Sequence, residues 1–445
     1  MILLLAWNNV RTNRAGFAFS FLAVVLAVTL VGGSGLLVVA AGSVGELNGV
    51  MGLLVLSALV SGFVSVFVVA GMLSMNVLRQ RRTWGLLRSV GMTPGQVRRL
   101  VMAEALVVAV LASAAGCLLA MPYAATMAAL MRGSGLAPGG IPLELTPGPF
   151  VLALVVGVVV TSLAARSAAR KAVRVGPLEV LRDSAAQQRL LPWPRAVTGV
   201  VALAGGAVVL WLVPQVNERS QAPTALGATM ALCVAASALG PVVLRGMGAL
   251  LGAPVAWLDP GAGLLARSAL IAQPRRAMSA ASPVMLTIAL ACTFLFAVTT
   301  ADVAAGVTRT GPAAWAAPVL VGSAVAYTVI SVLNATAMSM AERTGELRLL
   351  RSVGTTPRQL TRAVCWESLI VTCAGALLGT GIAAASLTAL GTAMTGEPWF
   401  AYSLPQYAGL LLICLASGLT GALTATRNAR RAPLLSIPTK DHATK

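Results

Sequence analysis

Residues 86–106 read LLRSVGMTPGQVRRLVMAEAL, and residues 349–369 read LLRSVGTTPRQLTRAVCWESL. The first six letters are identical, 263 residues apart (349 − 86). Before the glycine, Trp84, Leu87 and Gly91 fall at i, i+3 and i+7 with Arg81, Arg82 and Arg88 among them, the pattern of a short amphipathic helix. Gly91 and Gly354 stand where such a helix would end, because glycine alone enters the left-handed conformation without strain. Thr93-Pro94-Gly95-Gln96 and Thr356-Pro357-Arg358-Gln359 follow. Threonine at N-cap, proline at N1 and glutamine at N3 are a helix start: hydroxyl and amide side chains satisfy backbone donors that the first turn leaves orphaned. Each copy therefore predicts helix, glycine stop, sharp turn and a second helix.

Outward from these phrases the chain is apolar. It is 58% hydrophobic, only 10% charged, and has a mean hydropathy of +0.86. Soluble domains carry about 25% charged residues, so the composition is that of a membrane protein. A hydrocarbon core of about 30 Å takes roughly 20 apolar residues as helix. Ten stretches meet this, near 17–41, 50–75, 101–130, 149–168, 196–214, 223–244, 278–300, 315–340, 364–392 and 405–426. The runs are continuous and not alternating, which excludes a β-barrel. The fold class expected is all-α and polytopic.

The net charge of +19 is explained by where the charges lie. With the N-terminus placed in the cytoplasm, all but three of the 32 Lys and Arg fall in cytoplasmic segments, the exceptions being Arg132, Arg219 and Arg309. This skew orients a multi-pass protein with both termini inside. It favours anionic lipid headgroups as the basic surface's partners over nucleic acid. The first span ends in VVAAGS, which resembles a signal-peptidase site, but its apolar run is longer than a signal peptide's and it is expected to remain a span. The stretch GALLGAPVAWLD (248–259) is too short to span and is interrupted by Pro254, so it is expected to be interfacial. The six cysteines all lie in or beside apolar spans, as packing residues do, and no metal-ligand spacing is present.

The repeat extends beyond the phrase. LLAWNNVRTNRA (4–15) resembles LLARSALIAQPRRA (264–277), and the tail RSAARKAVRVGPLEVL (166–181) has a counterpart in RNARRAPLLSIP (427–438). Six spans separate equivalent landmarks. An even offset makes the repeat parallel, unlike the inverted repeats common in secondary transporters. The organisation expected is a four-span unit at 1–182, a linker with two central spans at 183–260 that returns the chain to its starting side, and a second four-span unit at 261–445.

Capping accounts for Gly, Thr, Pro and Gln in the phrase, but not for Leu-Leu-Arg-Ser-Val beside them. A surface for a two-fold partner does account for it. Glu104 and Glu367 occupy equivalent positions early in spans three and nine. Carboxylates in the first turns of a helix are favoured by its dipole and by nearby arginines, which is a simpler reading than a proton site. The glycines Gly32, Gly33, Gly35, Gly375 and Gly379 suit close helix packing.

The stretches RRTWGLLRSVGMTPGQVRRLVMAEALVVAVLASAAGCLLA (81–120) and ERTGELRLLRSVGTTPRQLTRAVCWESLIVTCAGALLG (342–379), with the tail AARKAVRVGPLEVLR (168–182), resemble the FtsX-like permeases, the MacB/LolC/LolE class of ABC transporter membrane subunits. The resemblance implies a double-length permease that exports or extracts a lipid-like, peptide or antibiotic substrate. It implies that the helix between the second and third spans of each unit couples to a separate ATPase subunit, in two copies, which would supply ATP and Mg chemistry. The coupling role then falls on Leu86, Leu87, Arg88, Ser89, Val90, Gly91, Thr93 and Pro94, and on Leu349, Leu350, Arg351, Ser352, Val353, Gly354, Thr356 and Pro357. The location implied is the bacterial cytoplasmic membrane. The chain departs from the MacB type where a large external domain would follow the first span: only GSVGELNG (42–49) stands there, and ADVAAGVTRTGPAA (301–314) in the second copy.

Nucleotide hydrolysis within the chain is not expected. The only lysines are Lys171, Lys440 and Lys445, none in a P-loop, and no catalytic constellation is visible. Two further classes are a membrane regulator driven by a partner ATPase, and a secondary transporter. The latter would need ionisable residues at mid-membrane, where the spans have essentially none.

Overall fold

The computed structural model describes residues 14–43, 48–79, 91–133, 141–144, 146–174, 192–306, 318–322, 325–326, 329–330, 332–333 and 354–431. Every regular element among them is helical: α1 (Arg14–Gly42), α2 (Asn48–Arg79), α3 (Pro94–Gly133), α4 (Pro147–Arg174), α5 (Trp193–Leu212), α6 (Glu218–Leu258), α7 (Ala262–Ala272), α8 (Pro274–Ala304), α9 (Pro357–Thr395) and α10 (Leu404–Arg431). Nine of these helices, all but α7, are long and apolar enough to cross a membrane. The protein is an all-α polytopic membrane protein. The eighth expected span, 315–340, lies largely outside the described residues, and the described part, from 318 to 333, is helical.

Glycines set the helix crossings. In the first unit α1 runs parallel to α3, because Gly32 meets Ala120 while Val28 meets Gly116. It runs antiparallel to α4, because Gly35 meets Pro149 while Val28 meets Gly157. In the second unit α8 and α9 are parallel through Gly375 on Ala281 and Gly379 on Met285 and Ile288. The glycines expected from sequence to serve packing do so: Gly33, Gly375 and Gly379 leave no room for a side chain, and at Gly32 and Gly35 a neighbouring helix would have to give by a few tenths of an ångström. Two crossings are equivalent. Gly116 faces Val25 O and Val28, and Gly379 faces Met285 O and Ile288, with both partners 260 residues further along in the second unit. Without a hydrophobic driving force between helices in lipid, this close backbone approach is the main source of association.

The central pair does more than return the chain. α5 runs antiparallel to α6, with Gly199 on Leu239 and Gly206 on Leu232, and buries little besides these two glycines. α6 packs in turn on α8 and α9. Gly240 lies against Met278, and the Thr229 hydroxyl donates to Thr293 Oγ1 at 3.2 Å. As a result every residue of α8 from Ala280 to Ala297 is buried. The matching face of α1 is uncovered: Phe21 and Leu22 are exposed where Ala281 and Ser282 are buried.

The interruption expected at Pro254 does not occur: residues 248–258 are the end of α6, which continues through Pro241 and Pro254 to Leu258. The proline penalty is overridden by close packing on both sides of Pro254, Gly252 against the stem of Arg267 and Gly263 against Val255 O. At 1.5 Å per residue α6 is about 60 Å long, roughly twice a hydrocarbon core. Its last turns therefore project beyond the membrane, with Leu250, Trp257 and Leu258 exposed.

Candidate functional site: two glycine joints at the arginine-rich end

The repeated phrases meet the membrane helices at Gly91 and Gly354. Both have positive φ, +104° and +102°. An added Cβ would touch nothing within 4 Å at either, so the backbone conformation alone demands glycine. Two residues on, each chain segment re-enters a helix through the same box. The Thr93 hydroxyl accepts from Gln96 N at 3.3 Å and Gln96 Oε1 accepts from Thr93 N at 2.9 Å. The Thr356 hydroxyl accepts from Gln359 N at 3.3 Å, and Gln359 Oε1 accepts from Thr356 N at 3.1 Å. Pro94 and Pro357 occupy the first helical position, where a missing N–H costs nothing.

The helices that leave these joints are about 60 Å long, at 40 and 39 residues, and so protrude beyond a bilayer. Their first turns are two-faced. Val97, Leu100 and Val101 are buried in α3, as are Leu360, Ala363 and Val364 in α9. Arg98, Arg99, Arg358 and Arg362 are exposed on the other face. Gly91, Thr93, Pro94, Gly354, Thr356 and Pro357 are exposed as well. The remaining residues of the phrase, Leu86–Val90 and Leu349–Val353, lie outside the described residues.

Glu104 and Glu367 each sit ten residues into their helix, about 15 Å from its start. Their surroundings differ: Glu104 is 3% exposed, whereas Glu367 is half-buried. Among the described residues no group of three or more His, Cys, Asp or Glu is placed to hold a metal ion. The cysteines are free, three of them buried.

Sequence reasoning missed two further positive-φ glycines, Gly306 (+65°) just beyond α8 and Gly396, and a clamp beside the second of them. Gly396, at φ +78°, ends α9. The following loop crosses Gly391 so closely, at Trp399, that no side chain fits. Ala401 is then held from both sides: its N–H donates to the Thr300 hydroxyl at 3.1 Å, and its carbonyl accepts from Thr299 at 3.2 Å. Adjacent threonines at the end of an apolar span were the only signal.

A helical membrane protein that presents the same capped joint twice at one end defines a duplicated polytopic subunit. Residues 55–177 and 318–434 each match the FtsX-like permease C-terminal family, together more than half of the chain, and the protein belongs to that family. The two matched segments begin 263 residues apart, at the offset of the joints. No curated protein matches the chain. FtsX-like permeases are membrane subunits of ABC transporters and generally work with ABC ATPase subunits, which makes this chain a multi-pass membrane subunit.

Proposed function

We propose that this chain is a double-length permease, residues 1–182 and 261–445 forming the two halves and 183–260 the central pair, and that it exports or extracts a lipid-like, peptide or antibiotic substrate. ATP is hydrolysed by two copies of a separate ATPase bound at the arginine-rich, cytoplasmic end, where the nucleotide and its Mg also reside. The observation that carries this reading is the pair of identical joints, each a positive-φ glycine followed by a reciprocal threonine–glutamine cap. A mechanical connection has to fix the angle between the docking segment and the span it moves. A glycine stop followed by a proline-started, doubly capped helix does so in three residues. Docking itself falls to Leu87 and Leu350 for apolar contact and to Arg88 and Arg351 for hydrogen bonds or charge pairs.

Glu104 and Glu367 act as structural carboxylates behind these joints, not as proton carriers. The apolar walls of the spans suit an amphipathic or lipid-like cargo better than an ion or sugar. The test is co-expression with a candidate ABC ATPase, co-purification, and ATP hydrolysis in lipid with and without candidate amphipathic substrates. Stable co-purification with substrate-stimulated hydrolysis supports the reading. Hydrolysis that no substrate changes but that a third membrane or wall-acting protein does change would assign the chain to regulation instead.

A further inference from the structure

The exposed apolar stripe of α6 does not stop at the membrane surface. Val243, Leu250, Trp257 and Leu258 share one face of this helix, at i, i+7, i+14 and i+15, with Pro254 among them, and all are exposed. The headgroup level is marked by arginines. Arg195 Nη2 donates to Ser237 O at 2.9 Å, Arg245 is exposed on α6 itself, and Gly240 lies on Met278, three residues after Arg275. Trp257 stands twelve residues beyond Arg245 (257 − 245), about 18 Å further out along the helix. The headgroup layer is only about 5–8 Å deep on each side. A lipid-facing stripe would turn polar there. This one ends on a tryptophan that is 90% exposed and a leucine that is 75% exposed.

α6 keeps its course over this distance. Gly240 on Met278, Gly248 on Leu270, Gly252 on Arg267 and Val255 on Gly263 form one antiparallel register, each step along α6 matched by a nearly equal step back through α8 and α7. The tip of this hairpin lies at the level of the second joint. α9 packs on α7 and runs parallel to α8, with Gly375 on Ala281 and Gly379 on Met285, partners 94 residues apart (375 − 281). Carried back along α7, that register sets Pro357 level with Gly263 (357 − 94), and Gly354 turns the chain just three residues before Pro357. Because α6 packs on α7, α8 and α9, the tip belongs to the joint of the second unit.

We propose that Trp257 and Leu258 form a docking surface for the ATPase subunit held at the second joint, inserting into an apolar pocket of that subunit. The inference rests on the ATPase reading above. An exposed tryptophan beyond the lipid, level with the place where a partner docks, has the chemistry of an interface anchor. α6 has no counterpart in the four-span repeat, so the contact serves one ATPase copy and the two copies are held unequally.

The test uses the full-length chain in lipid nanodiscs with a candidate ABC ATPase that binds it, in the absence of nucleotide. Native mass spectrometry reads the copies bound per chain, and titration reads their affinities. Trp257→Ser combined with Leu258→Ser, both exposed so that the fold is spared, should leave one copy bound as before and weaken the other about ten-fold. Trp193→Ser, at an 80% exposed tryptophan of α5 two residues from Arg195 at the headgroup level, should keep both copies. Trp257→p-benzoylphenylalanine should cross-link to the ATPase on illumination. Unchanged affinities in the double variant, or the same loss in Trp193→Ser, would overturn the docking surface and leave the ATPase reading standing. Cross-linking to lipid instead would place the tip on the membrane and overturn the surface as well. An unaltered chain that binds no ABC ATPase would bring down the ATPase reading and the docking surface together.

Discussion

The Ser57 hydroxyl of α2 donates to the backbone carbonyl of Leu320 across 3.4 Å, and the two residues are 263 positions apart. That is also the interval between Gly91 and Gly354 and between the two family-matched segments. Two positions related by the repeat therefore touch each other. In a structure with two-fold symmetry this happens only beside the axis, where an interface is made of one patch meeting its own copy. The contact places the pseudo-two-fold axis between α2 and the helical segment from 318 to 333, and it supports division into two parallel halves.

A cross-link follows from this geometry. A hydroxyl-to-carbonyl contact of 3.4 Å brings the two backbones close together, the first requirement of a disulfide. With the native cysteines replaced by alanine, Ser57→Cys combined with Leu320→Cys should oxidise readily in membranes. The readout is whether the halves stay joined after cleavage at a protease site inserted in 183–191. Ser57→Cys combined with Leu412→Cys, an exposed position in the second half, should not join them. Absence of the first cross-link would remove the axis from this position.

The equivalent crossings should be equally intolerant of added volume. A Cβ at Gly116 would lie 2.8 Å from Val25 O and 2.7 Å from Val28 Cβ, and one at Gly379 would lie 2.6 Å from Met285 O. Backbone atoms cannot rotate away, so Gly116→Val and Gly379→Val should each cost about 1–3 kcal/mol or more and reduce detergent-stable protein. Gly381→Val, where nothing lies within 4 Å, should be recovered in normal amount. Fluorescence-detected size exclusion of tagged variants measures this directly.

How far the letters revealed the fold depends on the kind of signal. Spans, duplication and both joints were legible because each rests on local chemistry: continuous apolar runs, repeated phrases, and Gly-x-Thr-Pro-x-Gln stops and starts. The reach of α6 was not, since Pro254 reads locally as a breaker and its tolerance comes from Gly252 on Arg267 and Gly263 on Val255, contacts between separate helices. The docking of the central pair on the second unit was hidden for the same reason. The different burial of Glu104 and Glu367 is likewise a property of tertiary surroundings.

The caps should be separable from the joints. Thr93→Ala or Thr356→Ala removes one acceptor from a helix start and should cost about 1 kcal/mol of local stability, whereas serine should restore most of it. Hydrogen exchange at residues 94–97 and 357–360 should quicken in the alanine variants and not in the serine ones. Because both boxes are exposed, the global unfolding temperature should barely move. Unchanged exchange in the alanine variants would mean that the reciprocal hydrogen bonds do not hold the helix starts.

The joints themselves give the sharpest test of coupling. At Gly91 and Gly354 there is open space for a side chain but the wrong backbone for one, with φ of +104° and +102°. Valine there must either bear strain of about 1–3 kcal/mol or turn the backbone to negative φ. A bundle of this size absorbs the first and still inserts. The second re-aims the segment carrying Leu86–Val90 or Leu349–Val353 relative to α3 or α9. Gly91→Val and Gly354→Val are therefore expected to reach the membrane normally, to bind the ATPase, and to transport less per ATP hydrolysed. Gly95→Val provides the control, one residue inside α3 with open space and no positive φ, and should leave coupling intact. Expression, ATPase retention and transport per ATP measured on the three variants decide the matter. Full coupling in both joint variants would show that the angle set by these glycines is not what transmits the stroke.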